Sequence, residues 1–383
     1  MFNLRQSVVH VAIWIVIAIG SVCTFVTSGR ARVEDELSGV DSDGTLHIHD
    51  LTMSPSELWS PEFKEYYARW VTQAAMGPRL QPPARNAPKA EWDRFDASLE
   101  DHIKAGYLDR VLEHYPVKVV DTKVAGVRVA IISPRDGIPP GNRRRVLINL
   151  RAGGFVYYRG LAEGELEAIP VASIGRVKII TVDYRQAPFH GYPAASEDVE
   201  TIYKELLKEY KPDAIGIFGC SAGGALAAQA VAWFQVKGLP RPGAVGIFCS
   251  APSPKWARKG DSGIWWSGTG LPRTQLLEAD RAALEPVQWY MDSADSNDPV
   301  AYPELSDAVL ARFPPTLLLS GTRDFAMSAL IVAHARFLKL GVDSSLYIME
   351  GGAHGAYVFA VGTPEAHNTH AYIAAWFDEH LAR

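Results

Sequence analysis

The chain has 383 residues, 48% of them hydrophobic and 21% charged, so it is not disordered and has ample apolar material for a core. Its length fits two or three domain units, or one large α/β domain with insertions. A net charge of −5 with no basic block argues against a nucleic-acid partner. Three cysteines exclude a disulfide scaffold, and there is no C-x-x-C pair to suggest zinc.

In chain order, the first feature is a run without Asp, Glu, Lys or Arg from Ser7 to Gly29, preceded by Arg5. A short positive region before an apolar stretch reads as a secretory signal, with small residues for cleavage at Val26-Thr27-Ser28. The run also has the ~20 residues that a membrane-spanning helix needs. Residues 1–31 are therefore expected to be a signal peptide or an N-terminal membrane anchor. Either reading places residues 32–383, taken as a single domain, outside the cytoplasm: periplasmic, secreted or anchored. His47 and His49 form a short metal-like cluster ahead of Asp50, with no further ligands nearby, and read as a solvated loop.

Glu57–Met76 has the period of an amphipathic helix, with Trp59, Phe63, Tyr67 and Trp70 on one side. A proline-rich loop follows, then a weaker helical pattern over Trp92–His114. From Val117 the character changes. Val117–Asp121, Val127–Ile132, Val146–Leu150, Val177–Val182, Ile215–Phe218, Val245–Phe248, Thr316–Leu319 and Ser345–Met349 are short apolar runs with the length of buried strands. Helical patterns over 161–173, 197–209, 224–236, 326–340 and 365–380 lie between or after them. This alternation predicts a mostly parallel eight-stranded sheet with helices on both faces. Residues 251–312, which carry Trp256, Trp265, Trp266 and Trp289, break the pattern and read as an insertion above the sheet.

The strongest local signal is Gly219-Cys220-Ser221-Ala222-Gly223, between a strand and a helix. This is the context of a nucleophile elbow: the serine sits on a sharp, strained turn, and its neighbours at −2 and +2 are packed too closely for a side chain. A serine needs a base and an orienting third group. His354, in Gly351-Gly352-Ala353-His354-Gly355, follows the last predicted strand, and Asp324 follows the strand before it. Each of the three falls at a strand C-terminal end, where open α/β sheets carry their sites. Glu350 is a rival acid but reads as the end of its strand. His367 and His370, three apart on the last helix, read as surface residues. Arg151-Ala152-Gly153-Gly154-Phe155 follows the strand Val146–Leu150, and two adjacent glycines there let backbone N–H groups approach a substrate oxygen.

These motifs, taken in order, resemble the hormone-sensitive-lipase-like carboxylesterases of the α/β-hydrolases. Residues 151–155 correspond to that family's H-G-G-G-F loop. Asp183-Tyr184-Arg185-Gln186-Ala187-Pro188 followed by Tyr192-Pro193-Ala194-Ala195 is similar to its D-Y-R-x-A-P segment, and Gly219–Gly224 to its G-D-S-A-G-G elbow. Asp298-Pro299 and Pro314-Pro315-Thr316-Leu317 precede the acid loop as the family has them. The resemblance covers residues 117–383. It implies an α/β-hydrolase fold with a helical cap built from about residues 50–115 and 251–312. It implies a catalytic triad of Ser221, Asp324 and His354 and an oxyanion hole from Gly153, Gly154 and Ala222. The expected activity is that of a serine carboxylesterase on small acyl esters or lactones, with no metal or organic cofactor. An amidase or peptidase on the same scaffold, or a catalytically silent ligand-binding member, remains the alternative. Phe155, Trp256, Trp265 and Trp266 are expected to border the substrate pocket. Two departures stand out: Cys220 replaces the family's Asp, and Arg151 with Ala152 replaces His-Gly. Arg151 is expected to brace the loop rather than reach the substrate.

Overall fold

The computed structural model describes residues 52–76, 82–255, 258–271 and 285–383. The expected leader or anchor at 1–31, the pair His47 and His49, and Trp256 lie outside the described residues. Among those described, no helix is long and apolar enough to cross a membrane. Residues 55–383 form one compact unit.

Helix α1 (Pro61–Met76) and helix α2 (Lys89–Ile103) come first. The latter runs through a π-turn into α3 (Asp109–His114). The sheet then forms from β1 (Val117–Val124), β2 (Val127–Pro134), β3 (Val146–Leu150), β4 (Lys178–Val182), β5 (Ile215–Cys220), β6 (Ala244–Phe248), β7 (Thr316–Arg323) and β8 (Ser344–Ala353). Its spatial order is β1-β2-β4-β3-β5-β6-β7-β8. β2 is antiparallel to both β1 and β4, and every later pairing is parallel. The parallel strands β3, β5 and β6 are buried at every residue, as their nearly continuous apolar runs predict.

The connecting helices are α4 (Ala162–Gly175), α5 (Ala194–Leu206), α6 (Ala222–Val236), α7 (Asp261–Trp265), α8 (Asp307–Leu310), α9 (Met327–Lys339), α10 (Ala356–Phe359) and α11 (Pro364–His380). They divide the core into two layers. Val146, Ile148 and Leu150 of β3 pack with Val199, Leu226, Leu330 and Phe337 on one face. Leu147, one residue out of phase, joins Leu166, Phe218, Ile373 and Phe377 on the other. That alternation is the period-two signature of a strand buried on both sides.

His370 departs from the sequence expectation. It is buried, its ring is set edge-on against Tyr357 with centroids 5.4 Å apart, and burial pushes its pKa down to about 3. It is a neutral core histidine, because the last helix turns that face onto α4 and the sheet. His367 is exposed and meets the Tyr115 hydroxyl at 3.1 Å.

Candidate active site

The turn between β5 and α6 holds Ser221 at φ 57° and ψ −118°, a conformation L-residues seldom adopt. The Ser221 N–H donates to Phe248 O at 2.8 Å, which ties the turn to β6. A Cβ on Gly219 or Gly223 would run into the carbonyl oxygen of Leu150. The two glycines are therefore required for β5 and the start of α6 to approach the end of β3 this closely.

His354 reaches the turn from the loop after β8. Its Nε2 lies 2.8 Å from Ser221 Oγ, and its Nδ1 lies 2.9 Å from Asp324 Oδ1. Asp324 is fully buried. Its Oδ2 accepts from the Ser320 hydroxyl at 2.8 Å and its Oδ1 from Ala326 N–H at 3.0 Å. Burial works to raise its pKa, but the charge and hydrogen bond of His354, with the Ala326 and Ser320 donors, outweigh that and hold the carboxyl below its ordinary range. Glu350 is not part of this chain of contacts: its Oε2 accepts from Thr322 Oγ1 at 3.2 Å on the exposed side of the strand. Phe325 covers the imidazole, stacked on it with centroids 4.3 Å apart.

Gly153 and Gly154 both adopt positive φ, 108° and 61°. A Cβ at Gly153 would strike Tyr157 O, so this turn admits no side chain there. Arg151 lies behind the loop and is fully buried. Its guanidinium donates to Gln186 Oε1 at 2.5 Å, Tyr157 O at 3.3 Å and Tyr184 O at 3.0 Å, and it lies 4.3 Å from the Tyr184 ring centroid. Arg151 itself lines neither of the two cavities at Ser221. Cys220 is also buried, against Cys249. That contact, followed by burial, raises its thiol well above the ordinary value, so it stays protonated and is no rival nucleophile.

Two cavities of about 500 and 480 Å³ meet at Ser221, His354, Gly154, Val287, Phe325 and Arg258. The first is walled by Trp70, Tyr107, Tyr158 and Phe359, and the second by Phe155, Ala225, Met291 and Tyr302. Phe155 thus borders the second cavity, stacked on Tyr290 at 4.6 Å. Trp265 and Trp266 line neither. Trp265 is 39% exposed, and Trp266 packs 5.8 Å from the Arg323 guanidinium. The expected tryptophan wall comes instead from α1, where Trp70 stacks on Phe359 at 5.7 Å and donates through Nε1 to Thr269 O at 3.0 Å. The aromatic side of α1 was visible as an amphipathic stripe, but nothing local in the sequence says which of its rings faces the cavity. Among the described residues, the donors close enough to share a metal ion are Cys249, Asp324 and His354, within 4.8 Å of one another. Two of these already bond to each other in the chain of contacts that ends at Ser221.

This fold and this grouping of side chains define an α/β hydrolase. The sequence model of the α/β-hydrolase-fold family matches residues 147–358. The chain belongs to that family. It is 30% identical over 243 residues to LipR of Mycobacterium tuberculosis, an acetyl-hydrolase by assignment, covering 59% of this chain and 72% of that one. It is 28% identical over 182 residues to an acetyl-hydrolase of Streptomyces hygroscopicus, covering 47% and 57%. Among solved structures it is similar to the esterase E25, with a TM-score of 0.72, 26% identity and coverage of 88% and 99%. An esterase from the bacterial hormone-sensitive lipase family shares the fold with a TM-score of 0.66 at 23% identity, covering 86% and 100%.

Proposed function

We propose that the chain is a serine carboxylesterase that hydrolyses small acyl esters or lactones through an acyl-enzyme. The observation that carries this reading is the hydrogen-bonded line Ser221–His354–Asp324, at 2.8 and 2.9 Å, opening on both cavities. In the proposed reaction His354 Nε2 takes the Ser221 proton as Oγ attacks the substrate carbonyl. Asp324 fixes the tautomer with Nδ1–H toward itself and stabilises the imidazolium. The N–H groups of Gly153, Gly154 and Ala222 hold the developing oxyanion. His354 then protonates the leaving alcohol, and a water activated by the same imidazole releases the acid. The names of the relatives favour a short acyl group, acetyl first.

The test is a panel of p-nitrophenyl esters from acetate to octanoate, with the matching anilides, on wild type and Ser221→Ala. Turnover of esters over anilides is expected, with at least ~10⁴-fold loss in the variant. A fluorophosphonate should label wild type at Ser221. Faster anilide cleavage would make the chain an amidase. Absence of both labelling and turnover would point to a ligand-binding member.

We also propose that the uncharged run from Ser7 to Gly29 takes the protein across or into the membrane. Fractionation of a native host with N-terminal sequencing tests this, and cytoplasmic protein retaining Met1 would sink it.

A further inference from the structure

Two acidic side chains lie behind the site with no role in the mechanism above. Glu163 and Glu167 are one helical turn apart on α4, so they share a face, and both are buried, 2% and 0% exposed. That face is pressed against the ends of β3 and β4. A Cβ at Gly164, between the two acids, would meet the Thr181 methyl, Asn149 Oδ1 and Arg151 Cβ. Glycine at 164 is what lets the helix come this near.

The contacts of the two carboxylates reach three of the four loops of the site, all but the acid loop. Glu163 Oε2 accepts from the backbone N–H of Ala152 at 2.7 Å, the residue before Gly153 and Gly154. Glu167 Oε2 accepts from Asn149 Nδ2 at 2.9 Å, two residues before Arg151. Glu167 Oε1 accepts from Tyr357 Oη at 2.6 Å, three residues after His354. The backbone N–H of Cys220, beside Ser221, is a further donor toward Glu167.

Neither carboxylate has an ion-pair partner among the described residues, and Glu163 Oε1 is buried with no hydrogen bond. The nearest cation, Arg151, spends its hydrogen bonds on Gln186, Tyr157, Tyr184 and Asp183. Burying carboxyl groups in this way is costly, and an apolar pair of similar volume is often as stable or more so. Fold stability alone therefore does not explain two acids here. Burial raises both, Glu163 to about 7 and Glu167 to about 8, the second also through the charge of the first.

We propose that Glu163, with Glu167 behind it, is a positioning residue: it anchors the Ala152 N–H so that the Gly153 and Gly154 donors face the oxyanion, while Glu167 ties the same helix to the elbow and the histidine loop. The inference rests on the esterase reading above. Acceptor geometry is what the role requires, and charge is secondary.

The test uses the full chain with p-nitrophenyl acetate and a trifluoromethyl ketone, whose hydrated or serine-bound oxygen mimics the oxyanion. Removing one oxyanion donor costs ~10²–10³ in kcat, so Glu163→Leu, which only loosens the loop, should cost at least ~10-fold. KM should stay within about twofold, and affinity for the ketone should fall in parallel with kcat/KM. The melting temperature should change by no more than a few degrees, since losing a buried acid offsets leaving the Ala152 N–H unpaired. Glu163→Gln keeps a carbonyl oxygen for Ala152 N–H and should recover kcat to within about fivefold. Glu163→Met serves in the same comparison where Glu163→Leu does not fold. A Leu or Met variant with kcat within twofold of wild type would overturn the proposal. So would a loss of kcat that merely tracks a loss of melting temperature, equal for Gln and for the apolar variant. Wild-type protein that is neither active on esters nor labelled by a fluorophosphonate would overturn the underlying esterase reading instead, and this inference with it.

Discussion

Phe325 lies face to face with His354, ring centroids 4.3 Å apart and planes 24° from parallel, and it immediately follows the acid that bonds the same imidazole. The Arg258 guanidinium lies 4.9 Å from the Phe325 ring. The histidine is thus oriented in its plane by Asp324 and held out of plane by a ring. Aromatic pairs contribute about 0.5–1.5 kcal/mol beyond area burial. If that ordering matters in the transition state, Phe325→Leu should lower kcat by ~2- to 10-fold, 1.36 kcal/mol being a factor of ten. Phe325→Ala should cost more, since it also opens the cavity wall. Steady-state kinetics on a short-chain ester decide it: a Leu variant with unchanged kcat and a raised KM would show that Phe325 only shapes the pocket.

Glu163 and Glu167 also predict a pH dependence of stability. Their pKa values in the folded protein, about 7 and about 8, lie above the ordinary 4.5 because burial disfavours the charged form. Between those values the folded state binds more protons than the unfolded one, so stability falls as pH rises. The contribution is fully present below the unfolded value and is lost as pH passes through about 7 and 8. Asp324 works in the opposite sense, its pKa being lowered, but only in acid below its ordinary 3.8. His370, whose pKa is pushed down to about 3, makes stability rise with pH up to its ordinary 6.5, so melting temperatures should decline from pH ~6.5 to ~8, and Glu163→Gln should flatten that decline. Parallel curves for wild type and variant would remove Glu163 from the account.

Much of this candidate site is legible in the sequence, and the reason is local. The elbow, the Gly-Gly loop and the acid and histidine loops are short segments at strand ends, and their glycines mark close backbone approaches that composition alone exposes. The strands were legible because buried parallel strands are nearly continuous apolar runs. Their ends were less so: β7 continues past Leu319 to Arg323, and β8 past Met349 to Ala353, where pairing carries polar residues through an irregularity near Gly321. The pocket walls were not legible. Trp70 and Phe359 are far apart in the chain, and a helical stripe of aromatics looks the same whether it faces core or cavity. Glu163 and Glu167 read as ordinary acids early in a helix, where charge favours them anyway. Only the packing of α4 on β3 shows that they are buried.

The placement of Trp70 and Trp266 bears on acyl-chain preference. Trp70 borders the first cavity, whereas Trp266 packs on Arg323 outside both. A filled apolar contact discriminates between acyl or alcohol groups by about 1–3 kcal/mol. Trp70→Ala should therefore change the ratio of short-chain to medium-chain ester turnover by ~10-fold or more, while Trp266→Ala should leave that ratio near wild type. Ratios of kcat/KM for the acetate and octanoate esters measure both. A change confined to Trp266→Ala would mean that substrate approaches by another route.

Arg151 decides whether the departure from the family's loop is structural or a matter of specificity. Its side chain is fully buried, lies over Tyr184, and donates to Gln186 Oε1 and to the carbonyls of Tyr157 and Tyr184. The Tyr184 hydroxyl in turn donates to Arg151 O at 2.8 Å, so the loop and the segment after β4 are locked in both directions. Arg151→Ala would leave Gln186 Oε1 and Tyr184 O without a donor, at about 1–3 kcal/mol each, while Tyr157 O keeps the Gln186 amide. Arg151→Lys keeps the charge but loses the planar fork that serves these divergent partners, so it should rescue only in part. Both variants should lower the melting temperature by several degrees and lower kcat modestly, because the loop that carries Gly153 and Gly154 loosens. The loss should be the same for a neutral ester and for its carboxylate-bearing analogue, since Arg151 is fully buried and lines neither cavity. The measurement is kcat/KM on such a matched pair, beside a thermal melt. A loss more than ~10-fold greater on the anionic ester, near 1.4 kcal/mol, would show that Arg151 does meet the substrate and would point to an acidic one.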